Sequence, residues 1–191
     1  MTTMTTNPQT DIVKSKPDFA AIPERNTGDV ILRTMQQHHV QLSVMADNKA
    51  NILITVSSIV LTMVLANLKD PDLRAAMLTL AGFVLIALLL AIIAVLPKYR
   101  PLRVGPGELP ANFNLLFFGH FAELSQERFL EEISQAMKAD GSVYETMAKD
   151  VYALGYYLAH FKYRYLRWSY LFFLAGFICA SLVEAIYLLT A

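Results

Sequence analysis

"MADNKANILITVSSIVLTMVLANL", Met45 to Leu68, opens with Asp47, Asn48 and Lys49 and then runs apolar. A chain entering a bilayer normally keeps its charges outside, so this stretch raises two questions. How many such apolar runs does the chain have, and what do the polar residues at the mouth of this one do? The 191 residues are 55% hydrophobic with zero formal net charge, and the mean hydropathy is +0.41. Those values point to a membrane protein. The zero net charge gives no argument for binding a nucleic-acid polymer. The only cysteine, Cys179, lies inside an apolar stretch, so no disulfide framework is expected.

Working outward, three segments are long and apolar enough to cross roughly 30 Å of hydrocarbon at about 1.5 Å per residue: Asn51–Leu68, Leu73–Leu96 and Trp168–Leu189. The first two are joined by "KDPD", which leaves room only for a helical hairpin. The expected fold is an all-α membrane protein with three transmembrane helices and a cytoplasmic helical insertion between the second and third. Residues 1–28 read as a disordered cytoplasmic tail without an apolar signal sequence. Residues 29–68 read as an amphipathic cytoplasmic helix continuing into the first span, 73–96 as the second span, 97–167 as the insertion and 168–190 as the third span.

Lys and Arg set the orientation. Five precede residue 51, nine fall in 97–167 and two in the 69–74 hairpin. The positive-inside rule places the tail and insertion in the cytoplasm of a bacterial inner-membrane protein and the C-terminus in the periplasm. Tyr99, Tyr163, Tyr165 and Trp168 fall where an interfacial aromatic belt belongs. In the insertion, Phe129, Ile133, Ala136 and Met137 predict a helix ended by Ala139-Asp140-Gly141. A second helix starts near Ser142 and continues into the third span.

A helix beginning at Thr27–Asp29 carries Ile31, Met35, His38, Leu42, Met45 and Lys49 on a heptad-like seam suited to packing against another helix. Asp47, Asn51, Thr55, Ser58 and Thr62 recur at intervals of four and three, which puts them on a different stripe of the same helix. This stripe is either an interhelical hydrogen-bonding surface or the lining of an aqueous pathway. Asp47 stands apart, because a carboxylate at the membrane lip requires a cation or water. On the third span Gly176, Ala180 and Glu184 share a face. Glu184 lies about 24 Å beyond Trp168, as a snorkelling interfacial carboxylate or a gate residue.

"KYRPLR" at 98–103 is echoed by "KYRYLR" at 162–167, both at the cytoplasmic surface. Anchoring to anionic lipid explains them. The alternative is ligand binding, with Arg100, Lys162, Arg164 and Arg167 holding a phosphate and Tyr163 stacking on a base. His38, His39, His120 and His160 show no metal-site spacing, and no phosphate-binding or nucleophile motif occurs. No cofactor, metal or catalytic residue is expected, and the chain is not expected to be an enzyme.

"ADNKA" at 46–50, "NLLFFGHFAELSQERFLEEI" at 114–133 and "DVYALGYYLAHFKYRYLRWSY" at 150–170 resemble the membrane effectors of Pycsar anti-phage systems, over about residues 30–190. The resemblance implies a protein that senses cyclic CMP or cyclic UMP made by a partner cyclase and impairs the inner membrane, ending in growth arrest or death. Three spans are few for a pore, so a homo-oligomer is expected. The rival expectation is a non-conducting membrane anchor whose cytoplasmic helices recruit a protein partner.

Overall fold

The computed structural model describes residues 26–97, 102, 104–105 and 107–190. Residues 1–25 of the tail, Tyr99 and Arg100 lie outside them. The described residues contain helices and turns and no strand: α1 (Asn26–Asn67), α2 (Arg74–Val95), α3 (Phe118–Phe121), α4 (Gln126–Ala136), α5 (Asp140–Tyr157), a π-turn (Leu158–Lys162) and α6 (Tyr163–Thr190). Three helical stretches, Thr27–Asn67, Arg74–Val95 and Gly141–Thr190, are long and apolar enough to cross a membrane.

α2 lies against both α1 and α6. It does so through a seam of small residues, Ala76, Val84, Ala87, Ala91 and Ala94. Facing it are Ala46, Ala50, Leu53, Ser57 and Val64 of α1, and Leu166, Ser169, Gly176 and Ala180 of α6. Small side chains let backbones approach closely, the main source of helix attraction where lipid removes the hydrophobic drive. Gly176 is a case in point: a Cβ there would stand 2.8 Å from Phe83 Cβ. Ser169 donates its hydroxyl to the Ala87 carbonyl. The opposite faces carry Ile52, Ile59, Met63, Leu85, Leu89, Leu174, Ile178 and Leu182, all exposed. An apolar belt around a three-helix core is what a bilayer requires of a bundle. On the hairpin side, the Tyr187 hydroxyl donates to Asp72 at 2.9 Å and ties the end of α6 to the α1–α2 turn.

α5 runs beside the first half of α1 in the same direction. Tyr144 covers Gly28, Gln36 meets Asp150, the His39 ring lies on Gly155, and Lys162 reaches Asp47. One expectation is corrected here, and the face of α1 that α5 takes lies beside the expected seam. The seam Ile31, Met35 and Met45 is 54%, 43% and 50% exposed. α5 instead takes the neighbouring face with Gly28 and Gln36, where two helices approach closely and polar groups find partners. Asp140 and Gly141 open α5 rather than closing α4, which ends at Ala136 with Met137 as its cap.

Candidate functional site

Where α5 passes into α6, the helix widens for one turn. The Tyr163 N–H donates to the Leu158 carbonyl five residues back, the mark of a π-turn, and such single turns gather at functional sites. The turn aims Lys162 inward. Its ammonium donates to Ser43 Oγ at 2.7 Å and to Asp47 Oδ2 at 2.7 Å. The Lys162 side chain is 8% exposed and the Asp47 side chain 39%. Around this pair, the Tyr163 hydroxyl donates to the Leu42 carbonyl at 3.1 Å, and Tyr170 reaches the Lys49 carbonyl at 3.2 Å. Tyr157 is also close: burial pushes its phenol up, and the Asp47 carboxylate adds to the effect. Ala46, Ala50, Ala94 and Leu166 pack directly beneath, with Val95, Tyr163 and Tyr165 against them. The pair therefore sits on the lid of the three-span core and links the helix that enters the first span to the one that enters the third.

The polar stripe divides. Asp47 turns toward Lys162, whereas Asn51, Thr55, Ser58 and Thr62 are exposed on the outside of the bundle. Thr55, Ser58 and Thr62 donate to the carbonyls of Asn51, Ile54 and Ser58, four residues back. These hydroxyls thus carry their own acceptors into an apolar medium. The basic-aromatic collar divides as well. Lys162 faces α1, while Arg164 and Arg167 are exposed elsewhere on the helix. The structure does not bring them together as one phosphate cluster. Glu184 lies on the hairpin side, partly buried, with Oε2 lacking a hydrogen-bond partner among the described residues.

A second polar centre, unforeseen in the sequence, fastens the insertion. Asp150 accepts from Gln36 at 2.7 Å and from the Asn114 side chain at 2.8 Å. Asn114, buried, also accepts from the Leu116 N–H at 2.9 Å and donates its own N–H to His120 Nδ1 at 3.0 Å. Phe113 and Phe117 flank the imidazole. The loop before α3 is thereby tied to α5 through Asn114, and the same Asp150 carboxylate ties α5 to α1 through Gln36. The available signal was "NLLFFGHF", where an Asn leads an aromatic cluster that no helical pattern explains.

Burial holds the His120 imidazole below its ordinary value. Its Nδ1 is an acceptor here, so protonation removes the lone pair that Asn114 uses. With the folded value below the unfolded one of about 6.5, the stabilisation is full above the unfolded value and fades as pH falls through the folded one. Exchange protection of the Asn114 amide, corrected for intrinsic rate, should be full above the unfolded value of about 6.5 and fall as pH drops below it. His120→Phe should abolish that pH dependence; a dependence that persists in the variant assigns it to another group.

Among the described residues, no three His, Cys, Asp or Glu side chains are grouped to hold a metal ion. Residues 30–189 match a family model described as the Pycsar effector protein domain. Neither the comparison with curated proteins nor that with solved structures gives a match.

Proposed function

The chain belongs to the Pycsar effector family, and on that premise we propose that it senses cyclic CMP or cyclic UMP and answers by impairing the bacterial inner membrane. Family membership makes it an effector of anti-phage defence, and its apolar helices make it a membrane protein. In the proposed topology α1's first half and the insertion are cytoplasmic and the end of α6 is periplasmic, as the distribution of Lys and Arg favours. The protein acts without catalysis, by rearranging its spans.

The observation that carries this reading is the Asp47–Lys162 pair. It couples the two motifs that most resemble the family, 115 residues apart, at the point where cytoplasmic helices become spans. A ligand can shift the packing only by as much as its affinity differs between two arrangements. A turn of π-helix is a natural place for two registers, because converting it to α rotates and shifts everything beyond it. Lys162 would carry that movement into α1 through Asp47. The chain acts as a homo-oligomer, and the exposed seam and polar stripe of α1 supply outward faces for further copies.

Cells expressing the wild-type chain should stop growing and take up a membrane-impermeant dye when a cyclase makes cyclic CMP or cyclic UMP. With an inactive cyclase they should do neither. Normal growth and intact membranes with both nucleotides would leave the non-conducting anchor as the better reading.

A further inference from the structure

On the side of α5 away from α1, Tyr152, Tyr156 and His160 form a continuous rail of rings. Tyr152 and Tyr156 have centroids 6.0 Å apart, and Tyr156 and His160 stack at 4.0 Å with 20° between planes. His160 is fixed there by the π-turn, its Nδ1 lying 3.1 Å from the Tyr156 carbonyl. Exposure is 71% at Tyr152 and 48% at Tyr156. Two cations lie along the same stripe, both exposed: Arg164 at one end, and at the other Lys149, which is paired with Glu145 at 3.0 Å. Side chains on a helix lean toward its N-terminus, so Arg164 leans back toward His160.

Membrane anchoring does not account for these rings. Counting from Trp168 at about 1.5 Å per residue, Tyr156 stands about 18 Å and Tyr152 about 24 Å from the interface. The headgroup zone is only about 5–8 Å deep on each side. The cavity nearby, lined by Leu109, Pro110, Phe113, Thr146 and Lys149, holds about 210 Å³. That is below the roughly 300 Å³ at which ligand pockets begin. What remains is a solvated aromatic surface with His160 and the exposed Arg164 at one end, a combination that suits a flat base carrying a phosphate.

We propose that this rail is where the cyclic pyrimidine nucleotide binds, its base stacked on Tyr152 and Tyr156 and its cyclic phosphate held by His160 and Arg164. The inference rests on the nucleotide-sensing reading above and moves the site onto the outer face of α5, keeping only Arg164 of the collar at 162–167. It also gives a route. His160 and Lys162 belong to the same π-turn, one facing the rail and the other holding Asp47. A phosphate drawing on His160 acts on the turn whose inner side is the ion pair.

The test is equilibrium dialysis of cyclic CMP and cyclic UMP against the purified full-length chain in nanodiscs. Stacking on an aromatic side chain is worth about 1–3 kcal/mol per base, so Tyr156→Ala should weaken binding at least about fivefold. Tyr156→Phe, which keeps the ring, should bind like wild type. Arg164→Ala should weaken binding about tenfold, as expected for a charge-assisted hydrogen bond. All these side chains are at the surface, so the variants should insert and melt like wild type. If wild type binds while the Tyr152→Ala/Tyr156→Ala double variant binds equally well, the rail is not the site, and a change confined to oligomeric state would mark it as a contact between copies. If wild type binds neither nucleotide, the sensing reading itself fails and the rail proposal with it.

Discussion

Asp47→Ala should silence nucleotide-triggered dye uptake and should also destabilise the chain more than Lys162→Met does. The asymmetry follows from exposure. With Asp47 removed, the Lys162 ammonium stays almost wholly buried and keeps only Ser43. Stranding one member of a buried pair costs about 3–5 kcal/mol. With Lys162 removed, Asp47 is exposed enough to be hydrated, and the loss should be nearer about 1 kcal/mol. The double variant Asp47→Ala/Lys162→Met separates folding from switching. An apolar replacement of a buried pair is often neutral or better for stability, so this chain should insert and melt close to wild type. It should nevertheless be silent to cyclic nucleotide, since nothing ties the π-turn to α1. Thermal melts in detergent and dye uptake with the cyclase present read the two properties independently. Nucleotide-triggered leakage through the double variant would falsify the coupling role of the pair.

The second large effect is expected at Asp150, and it concerns the insertion rather than the spans. Asp150→Ala removes the acceptor shared by Gln36 and Asn114. Hydrogen bonds to a charged group contribute about 1.5–3 kcal/mol each. Since Asn114 is buried, its amide would be left without a partner. A loss of about 3 kcal/mol in docking of the 110–121 segment is expected. Asp150→Asn should cost about half as much, because its one remaining oxygen can accept from only one of the two amides. Limited proteolysis across 102–121 should quicken in the order wild type, Asn, Ala. The contacts of α2 with α1 and α6 contain no member of this network, so the span bundle should remain folded in both variants. Equal cleavage rates in all three chains would mean that Asp150 does not hold the segment.

Asp150 also shows what was hidden from a reading of the sequence. In the sequence it is only the first residue of the segment at 150–170, with nothing local to single out its carboxylate. Only the parallel docking of α5 on α1 brings Gln36 to it, and only the loop before α3 brings Asn114. Hydrogen-bond partners this far apart in the chain leave no periodic trace, unlike an apolar face.

Legible in the sequence alone were three helices long and apolar enough to cross a membrane, the hairpin between the first two and the long helices that lead into the first and third. Each depends on local quantities, namely apolar length, helical spacing and a Pro-containing turn. The sequence also marked Asp47 as a residue in need of a partner, because a carboxylate at the lip of an apolar run is costly anywhere in the fold. The tertiary structure decided who that partner is. Lys162 turns inward because a π-turn changes the register at that point, which a constant 3.6-residue period does not anticipate. The structure also decided which face of α1 is the docking face. The larger apolar residues Ile31, Met35 and Met45 gave the stronger periodic signal, yet α5 lies on Gly28, Gln36 and His39. The rings of Tyr144 and His39 lie against Gly28 and Gly155. Room for them depends on small residues matching across two helices, and that match exists only once the helices are placed side by side.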